Sequence, residues 1–170
     1  MSLIYIDSST GELKYQGPTS TAAILSSSDG TIPLIPFIVS FNGFVGSTSV
    51  NTNSFESIGS LSLDPSALFA GNNKITRTFL FKAIVEVSSG VTCEIRLYNL
   101  NAGSAVTSST LTSSTTSPTV VSAALTIGAA PNLVNSSQLY EIQFRVSAPT
   151  DPGLSDIAIC RQAGIDVMWS

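Results

Sequence analysis

Apolar residues recur at every second position through most of this chain, and that period of two predicts strands with one buried and one outward face. The longest run covers residues 78–99, TFLFKAIVEVSSGVTCEIRLYN. Phe79, Phe81, Ala83, Val85 and Val87 alternate with Leu80, Lys82, Ile84 and Glu86. After Ser88, Ser89 and Gly90 the alternation resumes, with Val91, Cys93, Ile95 and Leu97 against Thr92, Glu94, Arg96 and Tyr98. The pattern predicts a long β-hairpin at the centre of the core, with Gly90 supplying the positive φ of its turn. Lys82, Glu86, Glu94 and Arg96 are then expected to pair across the two hairpin strands.

The rest of the chain reads as strands that cover this hairpin. Pro33 and Pro36 mark an extended edge, because proline cannot donate to a ladder. Phe37, Val39 and Phe41 alternate into a strand that Asn42-Gly43 should end, and residues 45–53 read as a polar loop. Residues 55–63 alternate weakly. Asp64 and Pro65 predict one helical turn over 64–69, with Asp64 capping it. Residues 108–119 read as a Ser/Thr-rich edge strand plus a loop. Val121, Ala123, Leu125 and Ile127 predict a strand. Tyr140, Ile142, Phe144 and Val146 predict another, with Glu141, Gln143, Arg145 and Ser147 opposite. Ile157 and Ile159, then Ile165, Val167 and Trp169, predict the last strand or pair, broken at 162–164. About eight strands, turns every 8–12 residues or so and no helix beyond a turn predict an all-β fold, an antiparallel β-sandwich with jelly-roll topology, over residues 31–170.

Residues 1–30 differ in kind. Leu3, Ile4, Tyr5 and Ile6 make one short apolar piece, Leu13 and Tyr15 fall in a second, and Ile24 and Leu25 form an isolated pair. Turn formers separate them. No piece is long enough to pack alone, so the stretch is read as an extended N-terminal arm that needs a surface to lie on.

Composition narrows the function. The chain is 43% hydrophobic but only 11% charged, and Ser plus Thr make up roughly a quarter of it. Its polarity rests on hydroxyls, which suits an extracellular or particle surface, or an assembly whose faces are covered by partners. The formal net charge is −4, and the seven basic residues are scattered, so no nucleic-acid partner is expected. No secretory signal opens the chain and no apolar run approaches the ~20 residues that cross a bilayer, so no membrane partner is expected either. Synthesis in the cytosol is expected. Cys93 and Cys160 both sit in apolar alternations. Two buried thiols in a reducing compartment is the plainer reading, and a disulfide between neighbouring strands remains open.

Candidate chemistry is sparse. The chain has no histidine, which removes the commonest general base, the usual triads and most zinc sites. No serine lies in a nucleophile elbow, and no phosphate loop or dinucleotide fingerprint is present. Glu86 and Glu94 could face each other across the central turn as a glycosidase pair, but they read better as solvent-face partners of Lys82 and Arg96. Asp151, Asp156 and Asp166 could meet near the C-terminus and hold calcium, yet their spacing fits no calcium loop. Tyr98, Tyr140 and Trp169 could stack on a sugar. Trp169 and Tyr140 share their faces with core residues, which leaves Tyr98 the freest. No enzymatic activity, cofactor or metal is expected.

One stretch adds a resemblance. Residues 5–17, YIDSSTGELKYQG, resemble an opening common in small structural proteins of tailed bacteriophages, where an aspartate, a turn and a Gly-x-Leu-Lys-aromatic segment precede a β-domain. The body that follows looks like the jelly-roll cement or decoration proteins of phage capsids. The resemblance implies a protein of the virion, on the capsid surface, that binds the major capsid protein as a homotrimer and stabilises the mature shell. In that reading Leu3, Ile4, Tyr5, Ile6, Leu13, Tyr15, Ile24 and Leu25 are the arm's anchors, laid on a neighbouring subunit by β-augmentation. A phage fibre or tail protein, or a carbohydrate- or receptor-binding sandwich with a glycan ligand, is the alternative. Against the glycan stands the lack of any aromatic residue in 45–53, 128–135 and 149–155.

Overall fold

A computed structural model describes residues 3–6, 13–16, 21–25, 38–68, 77–147 and 156–169 of the chain. Backbone proximity divides the chain into two units, Met1–Pro36 and Phe37–Ser170. In the first, strands β1 (Leu3–Ile6), β2 (Leu13–Gln16) and β3 (Thr21–Leu25) form an antiparallel three-stranded meander. The isolated pair Ile24 and Leu25 therefore belongs to a third strand.

The second unit contains β4 (Ile38–Val50), β5 (Glu56–Leu63), β6 (Arg77–Val87), β7 (Cys93–Asn99), the two-residue β8 (Ser104–Ala105), β9 (Leu111–Ser113), β10 (Thr119–Leu125), β11 (Gln138–Val146) and β12 (Ala158–Trp169). One sheet runs β10-β6-β12-β4. The other runs β5-β11-β7, and β7 also pairs with β8 and β9. With β8 set aside as a short addition, the antiparallel pairs nest. The first strand pairs with the last, β4 with β12, and then β5 with β11, β6 with β10 and β7 with β9. This is a long hairpin of strand pairs rolled into two sheets, which is the jelly roll.

Each sheet turns one side of its alternation inward. Phe79, Phe81, Ala83, Val85 and Val87 of β6 face Val91, Cys93, Ile95 and Leu97 of the β7 segment, and all are buried. Tyr140, Ile142, Phe144 and Val146 of β11 join them. Burying a side chain of this size stabilises the fold by roughly 1.5–3 kcal/mol before ordering entropy is subtracted.

Residues 78–99 do not form a hairpin. β6 and β7 lie in opposite sheets, and the segment between them bridges the two layers. The end of β6 is held by Thr115 and Ile157, whose carbonyls accept the N–H groups of Val87 and Ser88 at 2.9 and 2.8 Å. Gly90 does take a positive φ of 82°. The expected cross-strand charge pairing fails for the same reason. Lys82 and Glu86 point outward from one sheet, and Glu94 and Arg96 point outward from the other.

Two further expectations change. β4 continues through Asn42-Gly43 to Val50, so 45–50 is strand rather than loop. β12 is continuous, but extra residues shift its register near Arg161 and Gly164. Ala158 and Cys160 are buried before the first shift, and Ala163, Ile165 and Val167 after it. Ile157 is exposed and Ile159 half-buried, the reverse of a strict alternation. A bulge moves the inward set from even to odd positions without ending the strand.

The sheets pinch together at one edge. A Cβ on Gly59 of β5 would lie 2.3 Å from the Gly43 carbonyl oxygen of β4. Only glycine permits that approach. The predicted turn after β5 is present, with Asp64 Oδ1 accepting the Ser66 N–H at 3.0 Å. Arg77 Nη1 donates to the carbonyls of Pro65 and Leu68 and fixes it from the other side.

Candidate interaction surfaces

The alternation that fills the core also composes the two outer faces. On the four-stranded sheet, register places Lys82 beside Gly164 and Asp166 beside Ser40. Lys82 Nζ pairs with Asp166 Oδ2 at 2.7 Å, and Ser40 Oγ donates to Asp166 Oδ1 at 2.6 Å. Burial by itself would raise the Asp166 carboxyl pKa. The bonds from Lys82 and Ser40 outweigh it and hold the group below the usual carboxylate range. Arg161 pairs with Glu86, and Gln162 Nε2 donates to Asn42 Oδ1 at 3.0 Å. Val120, Ile84, Gln162 and Val45 form one row across all four strands. Val120 and Val45, on the two edge strands, are 58% and 69% exposed.

The outer face of the five-stranded sheet is built differently. Register sets Glu94 opposite Arg145, Arg96 opposite Gln143 and Tyr98 opposite Glu141. Arg145 donates to Glu94 Oε2 through Nε and Nη2, at 2.9 and 2.6 Å, and to the Asn53 carbonyl through Nη1. Arg96 Nε donates to Gln143 Oε1 at 2.9 Å, and Gln143 Nε2 donates to Glu141 Oε2 at 3.0 Å. Phe55, just before β5, lies between the two arginines. The guanidinium carbons of Arg96 and Arg145 sit 3.6 and 4.3 Å from its ring centre, and that of Arg96 is 5.4 Å from Tyr98. The result is a ladder of alternating cations and rings, each contact worth about 0.5–1 kcal/mol at an exposed site. Arg96, Tyr98 and Phe55 were each visible in the sequence, but nothing in it joined Phe55 to residues 41 and 90 positions away.

The other sequence candidates are placed as follows. Glu86 and Glu94 stand on opposite sheets, each bound to its own arginine, so they are not a catalytic pair. Tyr140 is fully buried, and its hydroxyl accepts the Val134 N–H at 3.3 Å. Asp156 is buried, Asp166 is engaged with Lys82 and Ser40, and Asp151 lies outside the described residues. The Trp169 side chain is likewise outside them. Cys93 and Cys160 are free, buried and on facing sheets rather than neighbouring strands. Burial pushes the two thiols up, to about 11 and about 12, so neither is a nucleophile at neutral pH. A cleft of about 320 Å³ is lined by Glu86, Val87, Ser88, Thr116, Ile157 and Ile159. Its acid is already bound by Arg161.

Of the arm residues, Leu3, Ile4, Tyr5 and Ile6 lie in β1, Leu13 and Tyr15 in β2, and Ile24 and Leu25 in β3. Register sets Ile6 opposite Leu13 and Leu13 opposite Leu25, while Ile4 is opposite Tyr15. The side chains of this unit lie outside the described residues.

No protein-family model and no curated protein matches the chain. Solved structures do. The chain is similar to the infectious bursal disease virus VP2 subviral particle, with a TM-score of 0.50 at 10% identity over 89% of this chain. It is also similar to the Gx strain of that virus, with a TM-score of 0.48 at 11% identity over 93% of this chain. The chain spans about a third of the first structure's length, 35%, and 41% of the second's. The likeness is one of fold, to a viral capsid jelly roll. It does not single out the phage decoration proteins that residues 5–17 resemble.

Proposed function

We propose that this chain is a structural protein of a virion, and that it acts as a cement or decoration protein on the outside of a phage capsid. The observation that carries the reading is the nested pairing of eight strands into the jelly roll that the VP2 particle also contains. Three features support it. On the outer face of the four-stranded sheet, Lys82 and Arg161 are each matched by an acid from a neighbouring strand, which leaves no free ionised group there for chemistry. The cleft beside Glu86 offers no free acid, since Arg161 binds that carboxylate. The first unit is a small meander of three strands, of four or five residues each, the least that can be stable without further packing.

In this reading the first unit is the binding arm. Leu3, Ile4, Tyr5, Ile6, Leu13, Tyr15, Ile24 and Leu25 anchor it on the major capsid protein, and its edge strands add main-chain hydrogen bonds. A contact made only with the mature shell stabilises that shell by mass action. A homotrimer at a local three-fold repeats one modest contact and multiplies its effect. Removing residues 1–30 is expected to abolish binding to capsids while the sandwich keeps its cooperative unfolding. Co-sedimentation with purified particles measures the first and thermal melting the second; undiminished co-sedimentation would overturn the arm. Immunogold labelling of intact particles tests the location. Gold over the head is the expected result, gold on a tail or fibre moves the protein to an attachment role, and unlabelled particles remove it from the virion.

A further inference from the structure

Arg96 is held in a way that the other described arginines are not. Arg77, Arg145 and Arg161 each spend terminal guanidinium nitrogens on carbonyls or carboxylates. Arg96 uses only Nε, on Gln143, and its Nη1 and Nη2 have no partner among the described residues. The acids nearby are bonded elsewhere. Glu94 Oε2 takes two bonds from Arg145, and Glu141 Oε2 takes the Gln143 amide. Burial and then the Arg145 charge push the Arg96 pKa down, against smaller upward effects of Tyr98 and Glu94. The Phe55 ring on one side and the Gln143 bond at the edge fix the guanidinium plane.

We propose that the outer face of the five-stranded sheet is a docking surface for a protein partner that offers Arg96 a carboxylate flanked by apolar side chains. The open pair of Nη groups on a fixed plane fits a carboxylate's two oxygens side by side. A dianion such as phosphate is disfavoured, because Glu94 and Glu141 stand within the same cluster. Apolar flanking follows from the same alternation. Tyr98 and Leu100 succeed Arg96 at every second position, and the Leu100 N–H donates to the Leu139 carbonyl at 3.0 Å. Leu100 and Leu139 are 42% and 44% exposed. Arginine, tyrosine and phenylalanine are residues enriched at interface centres, and the exposed leucines add apolar area beside them. A sugar is the poorer occupant, since Arg96 already lies over the Phe55 ring and approaches Tyr98. The surface does not rest on the virion reading and stands whether or not that reading holds.

The test is a titration of the full chain followed by side-chain NMR of Arg96 Nε–H and the Tyr98 ring. The probes are the capped peptide Ser-Leu-Glu-Leu-Ser, its Gln-for-Glu analogue, and N-acetylneuraminic acid. The acidic peptide is expected to shift both signals and to bind about tenfold more tightly than the Gln analogue. R96K, which keeps the charge but loses the fork, is expected to lose that preference while the wild-type melting temperature is retained. Equal binding of the two peptides, or no movement of the Arg96 signal at about 10 mM acidic peptide, overturns the carboxylate site. Tighter binding of N-acetylneuraminic acid than of the acidic peptide overturns the protein partner in favour of a glycan. Should R96K fail to fold, the wild-type titration decides alone.

Discussion

The two outer faces of the sandwich use similar charges to different ends. On the four-stranded sheet, Lys82 meets Asp166 and Arg161 meets Glu86, so each cation is cancelled by an acid from a neighbouring strand. On the five-stranded sheet, Arg96 and Arg145 stand among Glu94 and Glu141 on the same outer face. There, however, one acid serves only Arg145 and the other serves an amide. Arg96 is left with rings for neighbours and an open edge. The difference teaches that counting opposite charges does not identify a self-satisfied face. What matters is which nitrogen each oxygen is bonded to, because Arg145 draws Glu94 Oε2 to itself with two nitrogens while Arg96 on the same face bonds only an amide.

The largest effect to test concerns what both faces stand on, a core closed by contact between the sheets. Gly59→Val places a branched side chain where the Gly43 carbonyl lies 2.3 Å from even a Cβ. It is expected to destabilise the fold by about 3 kcal/mol, read from urea unfolding, because a backbone obstruction cannot rotate away. A loss under about 1 kcal/mol would mean that the edge is not pinched and the two faces are not rigidly opposed.

A smaller effect separates the faces. Phe55→Ala removes the ring between Arg96 and Arg145 and is expected to cost about 1 kcal/mol. It should also sharpen exchange of the Arg96 Nε–H with water, while leaving the Lys82–Asp166 pair untouched. Equal disturbance of both faces would argue that the ladder is not a local unit.

The smallest effect is specific to the other sheet. The folded Asp166 pKa lies below its ordinary 3.8, so the stability it contributes is present above that value and is lost as pH falls through the lower folded one. The Lys82 side chain is 37% exposed, and solvent screening keeps the contribution to about 0.5 kcal/mol. Denaturant unfolding of wild type and Asp166→Asn at about pH 6 and about pH 3 should show the difference shrinking in acid. A difference that does not change with pH would mean that the carboxylate is not engaged.

Much of the fold was legible because burial imposes a period of two. β11 follows its predicted inward set, Tyr140, Ile142, Phe144 and Val146, without a slip. The same holds for the inward positions of β6 and β7. Asp64 and Gly90 also behave as their local chemistry requires. Of the interaction surface, the outward placement of Lys82, Glu86, Glu94, Arg96 and Tyr98 was legible for the same reason.

Partners were not. Alternation says which side chains reach the core, and it says the same whether two successive strands pair in one sheet or cross between two. Only the tertiary arrangement sent β6 beside β12 and β10, and β7 beside β11. It thereby gave Lys82 to Asp166 and Glu94 to Arg145, instead of to each other. The bulge in β12 at Arg161 was hidden for a related reason, since an extra residue changes parity only when a partner strand defines the register. Ile157 and Ile159 thus read as core, while Ala158 and Cys160 fill it. By itself, then, the sequence determined most of the strands, the inward faces of β6, β7 and β11, and the lack of histidine chemistry. The choice of strand partners, and with it the open edge of Arg96 against Phe55, belongs to the tertiary structure, because contacts between residues tens of positions apart leave no periodic trace in either segment alone.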